Sequence, residues 1–292
     1  MISIVICSRH TDIPQALKNN IAETTGVEYE IIVIDNSRNE YSIFSAYNEG
    51  VRRSKFPYLC FMHEDIVFHA TRWGENVLKC FENKRIGLCG VVGGHYAPPY
   101  PVPWWQSGLM SGQCLQGYIN ESGCYATRLD RYPDFLQNKK SIEVVSVDGL
   151  WFCIPKSLFD RSIAFDEKKY AGFHCYDIDI CFQVRNAGYE VVVIPDILIE
   201  HQSMGNIDEK WEKDLIQFYF KWYDKLPVTV GIYLTQEEID GINQKISEDI
   251  CAKINRNVST QKQLQHTLSS KSYRLGKFIF NPFSMLRKVI KK

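Results

Sequence analysis

No stretch of the 292-residue sequence stays apolar for the roughly 20 residues that a membrane-spanning helix needs. Its ten cysteines are scattered, mostly inside apolar runs such as Ile6-Cys7 and Leu59-Cys60-Phe61, and no two stand in C-x-x-C spacing. That argues against a disulfide scaffold or a zinc ribbon and reads as buried thiols in a reducing cytosol. Net charge is missing too: 34 Lys+Arg balance 34 Asp+Glu, so no surface-wide basic field grips nucleic acid, and none is expected as a partner. Internal repeats and low-complexity tracts are absent. What remains is a chain that is 45% hydrophobic and 13% aromatic, long enough to bury a large core. Its opening run, Met1 to Cys7, leads into Ser8-Arg9-His10 without a basic lead-in or cleavage site, and so reads as a strand rather than a signal peptide.

The hydrophobic pattern alternates between strand and helix. Ile2 to Cys7 is a continuous β-branched run, Pro14 to Glu23 is helical, Tyr29 to Ile34 repeats the strand, Ser42 to Ser54 is helical, and Tyr58 to Met62 is a third strand. Thr71 to Asn83 and Ile86 to Val92 continue the alternation. Such repeats predict an α/β fold, a mainly parallel, Rossmann-like sheet flanked by helices, with ligands beyond the carboxyl ends of its strands. Residues 95–140, rich in Pro, Trp and Gly, read as an ordered insertion too irregular for regular elements. Regularity returns at Ile142 to Val147, a helix near Pro155 to Asp160, a helix from Asp177 to Asn186, a strand from Val191 to Ile194, and Ile197 to Ile199 leading to His201. Asp208 to Tyr223 and Glu237 to Ile254 are helical in pattern, and Asn255 to Leu268 reads as a linker. The expected organisation is a domain over 1–225, a helical extension and linker over 226–270, and a basic amphipathic segment over 271–292. That segment carries seven basic residues and no acid, so the rest of the chain is net negative. Cations interleaved with large apolar residues suit an anionic membrane surface, or a solvated or oligomer-forming helix.

The polar residues at strand ends are the candidates for chemistry. Asp35 could hold a ribose or base, or simply form the Asp-Asn-Ser turn. In His63-Glu64-Asp65, alternation puts His63 and Asp65 on one face, where they could hold a hard divalent cation; otherwise the motif is an acidic loop. Asp177 could cap the following helix or, held ionised by the helix N-terminus, act as a base. His201 is a metal ligand or a structural histidine.

Taken in order, Ile4-Val5-Ile6-Cys7-Ser8-Arg9, Ile32-Val33-Ile34-Asp35-Asn36-Ser37, Asn48-x-Gly50, His63-Glu64-Asp65, Tyr176-Asp177-Ile178-Asp179, Gly188-Tyr189, Ile194-Pro195-Asp196 and His201 resemble family 2-type glycosyltransferases of the GT-A fold. The similarity is closest to a bacterial branch with His-x-Asp in place of Asp-x-Asp. The resemblance implies an inverting transferase that moves a sugar from a nucleotide donor, UDP by expectation, to a glycan or lipid-linked acceptor in bacterial surface polysaccharide synthesis. It places Ser8, Arg9, Asp35, Asn48, Glu64 and Asp65 around the nucleotide, and His63, Asp65 and His201 around Mn2+ or Mg2+. It makes Asp177 the catalytic base and puts Asp148, Gly149, Trp151, Tyr176, Trp104 and Trp105 at the acceptor. Tyr176 stands where the family usually has Glu. The implied location is the cytoplasm, with peripheral contact at the inner membrane face through 271–292. Two rivals remain: a sugar-nucleotide pyrophosphorylase, whose Gly-rich loop Ser8-Arg9-His10-Thr11 lacks, and a catalytically degenerate domain that binds a nucleotide sugar or glycan.

Overall fold

The computed structural model describes residues 1–132, 140–161, 163–203 and 208–269. The chain divides into two units, Met1–Thr235 and Gln236–Lys292. In chain order the first unit holds β1 (Ile2–Ser8), α1 (Gln15–Thr24), β2 (Tyr29–Asp35), α2 (Ile43–Arg53), β3 (Tyr58–Met62), β4 (Ile66–Phe68), α3 (Trp73–Cys80) and β5 (Ile86–Gly90). Next come β6 (Val92–Gly94), β7 (Tyr96–Ala97), β8 (Met110–Ile119), β9 (Tyr125–Arg131), β10 (Ile142–Val144), β11 (Ser146–Val147) and β12 (Trp151–Pro155). α4 (Tyr176–Asn186), β13 (Glu190–Val193), β14 (Ile199–His201), α5 (Glu209–Trp222) and β15 (Val228–Thr229) complete it. In the second unit, α6 spans Gln236–Ser269. The polar stretch expected as a linker, 255–268, therefore continues this helix; glutamine and lysine are good helix formers, and no Gly or Pro interrupts them.

The central sheet has the order β10-β13-β5-β12-β3-β1-β2. β1 pairs in parallel with β2 and β3, and β13 with β5, while β12 runs antiparallel to both β3 and β5. Both faces are covered, as the unbroken apolar strands require. On β1, Ile2, Ile4 and Ile6 pack with Leu17, Ile21, Trp73 and Val77 of α1 and α3. Val5 faces the other way, toward Phe44, Ala46 and Tyr47 of α2 and Ile180 and Val184 of α4.

A second sheet has the order β11-β6-β8-β14-β4 with β9 on β8, and its β8–β9 hairpin stands inside the 95–140 stretch that the sequence pattern reads as irregular. The β8–β9 hairpin pairs Gln113 with Arg131 through to Ile119 with Tyr125, and Asn120–Cys124 close its turn. The dense prolines of 98–103 and the tryptophans at 104–105 lie before the hairpin, not in it. β15 pairs with β7, which ties residues 228–229 into the first unit. The basic segment 271–292 lies outside the described residues.

Asn48-x-Gly50 finds a structural explanation here. The Asn48 amide donates to the Phe165 carbonyl (2.8 Å) and accepts from the Phe165 N–H (3.1 Å), clamping that loop onto α2. Gly50 lets α2 lie directly on β1: a Cβ there would sit 2.1 Å from Val5 Cγ1. Gly50→Ala is therefore expected to lower the unfolding free energy by about 1–3 kcal/mol through overpacking. Urea unfolding followed by circular dichroism measures this, and an unchanged midpoint would contradict the close approach.

Candidate active site

The chain passes from β1 through α1 to β2 on one side, then returns through α2 to β3 on the other. The crevice at the carboxyl ends of β1 and β3 is thus a topological switch point, the usual ligand position in such sheets. Ser8 ends β1 in register with Asp35 at the end of β2. Glu64, just past β3, reaches back to this edge: the buried Ser8 hydroxyl donates to its carboxylate, which also accepts the Arg9 N–H at 3.2 Å. His63 and Asp65 gather on the other side with His201, the alternation expected of an extended segment.

Three further segments close around them. β12 runs against β3 with Trp151 opposite Met62, which brings Asp148, Gly149 and Leu150 to the same edge; the His63 N–H donates to the Leu150 carbonyl at 3.0 Å. α4 starts after Cys175, whose φ of 62° turns the chain sharply into the helix. β14 delivers His201, and the Gln202 N–H donates to the Asp65 carbonyl at 2.9 Å. His63 Nδ1 lies 3.3 Å from His201 Nε2 and 3.9 Å from Asp65 Oδ1, and His201 Nε2 lies 3.7 Å from that same oxygen. The far side of the His63 ring, Nε2, meets the buried Tyr176 hydroxyl at 2.6 Å.

Asp177 is the second residue of α4 rather than its cap. Burial and then the nearby Asp148 charge raise its pKa to about 7, against the lowering effect of the nearby backbone N–H groups of Ile178, Asp177 and Gly149. The helix terminus alone was expected to keep it ionised; desolvation and a like charge outweigh that here. Burial, then the neighbouring His201, push His63 below the usual histidine range. Among the described residues no Lys or Arg forms an ion pair with Asp65, Asp148 or Asp177. Asp179, by contrast, is structural: it accepts from Lys221, Trp222 Nε1 and Gln183, fastening α4 to α5.

Two imidazoles and one carboxylate converge without a cationic side chain among them. Donors sharing a first-row divalent ion at roughly 2.1 Å each lie at most about 4.2 Å apart. The three separations of 3.3, 3.7 and 3.9 Å meet that limit, so the residues fit such an ion.

Other sequence-derived candidates fall elsewhere. Trp151 is fully buried, edge-on to Trp73 and Phe68, so it has no face to offer a sugar. The Asn48 side chain is occupied by the Phe165 backbone. Tyr176 is buried behind His63 rather than open to an acceptor. Asp35 is exposed and accepts the Ser37 N–H at 2.9 Å, forming the turn while still lying beside Ser8. Trp104 and Trp105 meet edge to face at 5.4 Å, and Trp105 keeps 37% of its surface exposed. Sequence reading missed Gln116 and Tyr125 of the hairpin: Gln116 sits in register with His201, and the Tyr125 hydroxyl donates to Glu200 at 2.5 Å. The strand pattern of 110–119 and 125–131 on either side of Asn120-Glu121-Ser122-Gly123 was the available signal.

Residues 3–222 match the profile of a Glycosyltransferase like family. The chain belongs to this family. GalNAc-T7, in a crystal structure with UDP, GalNAc and Mn2+, is 13% identical; the match covers 77% of this chain and 49% of that one, with a TM-score of 0.52. The present chain thus spans about half the length of GalNAc-T7, and at this identity the likeness establishes the fold, which is GT-A. A197 from STIV is 12% identical over 71% of this chain and 86% of its own, but its TM-score of 0.38 is too low to support any argument. No curated protein sequence matches.

Replacing either His63 or Asp65 by Ala is expected to weaken Mn2+ binding by more than the roughly 10- to 100-fold that loss of an outer hydrogen-bond partner costs. Glu64→Gln, whose carboxylate faces Ser8, should leave it within a few-fold of the parent, approximately. Mn2+ titration by electron paramagnetic resonance distinguishes the two; equal losses would refute this division of labour.

Proposed function

We propose that this glycosyltransferase-family domain is an inverting, metal-dependent enzyme that transfers a sugar from a nucleotide donor, UDP-linked, to a hydroxyl of a glycan or lipid-linked acceptor in bacterial surface polysaccharide synthesis. The observation that carries the reading is Asp177, its pKa pushed up to about 7 by burial and the nearby Asp148 charge, at the start of α4, where Tyr176 touches His63 of the His63, Asp65 and His201 cluster. The UDP and Mn2+ of GalNAc-T7 support the choice of donor nucleotide and ion class.

When bound at His63, Asp65 and His201, the divalent ion supplies neutralisation of the departing diphosphate's charge. The protein's own groups account for the rest. Ser8, Asp35 and Glu64 line the switch-point edge where base and ribose are to be held. Asp177 accepts the proton of the acceptor hydroxyl; the acceptor oxygen bonds the anomeric carbon as the bond to the diphosphate oxygen breaks on the opposite face. Burial and Asp148 raise the basicity of Asp177. One carboxylate suffices because the diphosphate leaves as an anion needing no protein acid. The reading includes contact of 271–292 with an anionic membrane surface, supported by seven basic residues among large apolar ones. No helix among the described residues is long and apolar enough to cross a membrane.

A screen of nucleotide sugars for nucleoside diphosphate release, with and without Mn2+, tests the reading. Asp177→Asn should lower kcat by about 10²- to 10⁴-fold while leaving UDP affinity unchanged; unchanged turnover would rule out Asp177 as base.

Because the base must be ionised, kcat/KM should climb with pH up to about 7 and level off above it. Asp148→Asn removes the like charge that lifts Asp177, so the acidic limb of the profile should move to lower pH. A limb that stays in place, or moves up, would contradict the assignment.

A further inference from the structure

Tyr176 is one of two departures from the family pattern visible in the sequence, and the other, His63, is its direct partner. The Tyr176 ring is buried among Phe44, Tyr47 and Phe152, which fixes where its hydroxyl points. That hydroxyl has two contacts: His63 Nε2 at 2.6 Å and the Gly149 carbonyl oxygen at 3.1 Å. A carbonyl can only accept, so the one phenolic hydrogen goes to Gly149. The bond to His63 must then be donated by the imidazole. The opposite assignment would leave two buried oxygens facing each other without a proton between them, at the cost of an unsatisfied polar group. With its proton on Nε2, the neutral ring carries its lone pair on Nδ1, the atom that faces His201 Nε2 and Asp65 Oδ1.

We propose that Tyr176 is a positioning residue that locks His63 in the Nε2–H tautomer and orientation, so that Nδ1 is presented as a metal ligand. The proposal rests on the metal-dependent reading above. Gly149 is part of the device: a Cβ at this position would lie 2.3 Å from the Tyr176 hydroxyl oxygen, so only glycine leaves room for the phenol to reach both partners. Tyr176 itself touches neither ion nor substrate. It acts through the second nitrogen of a ligating histidine, the place where an outer hydrogen bond sets both tautomer and basicity.

The test uses the full chain with Mn2+ alone as probe, together with the metal-free protein. In nitrogen-15 histidine spectra of the metal-free wild type, His63 should show a protonated Nε2 and a bare Nδ1. Tyr176→Phe, which keeps the ring and loses the hydroxyl, should redistribute the tautomers and weaken Mn2+ binding about 10- to 100-fold. Gly149→Ala, which keeps the hydroxyl but displaces it, should weaken binding in the same direction. Thermal unfolding of the metal-free variants separates a folding defect from a ligand defect, and the wild-type spectrum decides the tautomer even if a variant fails to fold. An Nδ1–H tautomer in the wild type, or unchanged Mn2+ affinity in Tyr176→Phe, overturns the proposal while leaving the metal centre standing. A wild type with Nε2–H but no Mn2+ binding overturns the metal reading and, with it, this role for Tyr176.

Discussion

The hydrogen bond from the His63 N–H to the Leu150 carbonyl joins two segments 87 positions apart in number, and the rest of the site depends on it. It exists because β12 enters the central sheet backwards, between β3 and β5, with Trp151 opposite Met62. A strand running parallel to its neighbours would place its carboxyl end at the site and its preceding residues at the opposite edge. Running antiparallel, β12 places Asp148, Gly149 and Leu150 directly beside the residues that follow β3. Gly149 then contributes a carbonyl to Tyr176, linking the start of α4 to the β3 segment. The reversed direction of β12 is thus what makes residues of β3, β12 and α4 one constellation.

Electrostatics explains why that constellation is poised rather than self-satisfied. Elsewhere on α4, the buried Asp179 is fully answered by Lys221, Trp222 and Gln183. Asp65, Asp148 and Asp177 have no such cation among the described residues, and burial and then the Asp148 charge push the Asp177 pKa up to about 7. Clustered carboxylates can lower their mutual repulsion by taking up a proton or a metal ion. Both are what a transferase using an anionic leaving group and a general base requires.

Much of this was legible in the sequence, for definite reasons. Continuous apolar runs, β-branched in β1 and β2 and Leu-Cys-Phe-Met in β3, let these strands and the polar residues at their ends be read within a residue or so. His63, Asp65 and His201 converge because each ends or follows such an element. β12 was not legible as a strand: five residues ending in Pro155 carry too little periodicity, and strand direction is set by neighbours rather than by local pattern. The same limit misplaced Trp151, which looks like a sugar platform beside Asp148-Gly149 but points into the core against Trp73. The β8–β9 hairpin was hidden by the Pro- and Trp-rich chain before it, although its own pattern was intact. Asp177 was located correctly in chain order, but its raised pKa depends on Asp148 and on burial, which only the folded chain supplies.

His63 and Tyr176, which in sequence read as two separate losses of carboxylate, become one feature in the structure. Carboxylates at both positions would put as many as five acids around one ion-sized centre, with no basic side chain paired to Asp65, Asp148 or Asp177 among the described residues. An imidazole at 63 can ligate without adding charge, but it has two nitrogens and must be told which to present. A carboxylate ligand has no such ambiguity and needs no partner to resolve it. A phenol at 176, anchored to the Gly149 carbonyl, resolves it with a neutral hydrogen bond where a carboxylate would add charge beside Asp177. The exchange of one residue type makes physical sense only in the presence of the other, and the 2.6 Å contact between them is where the two meet.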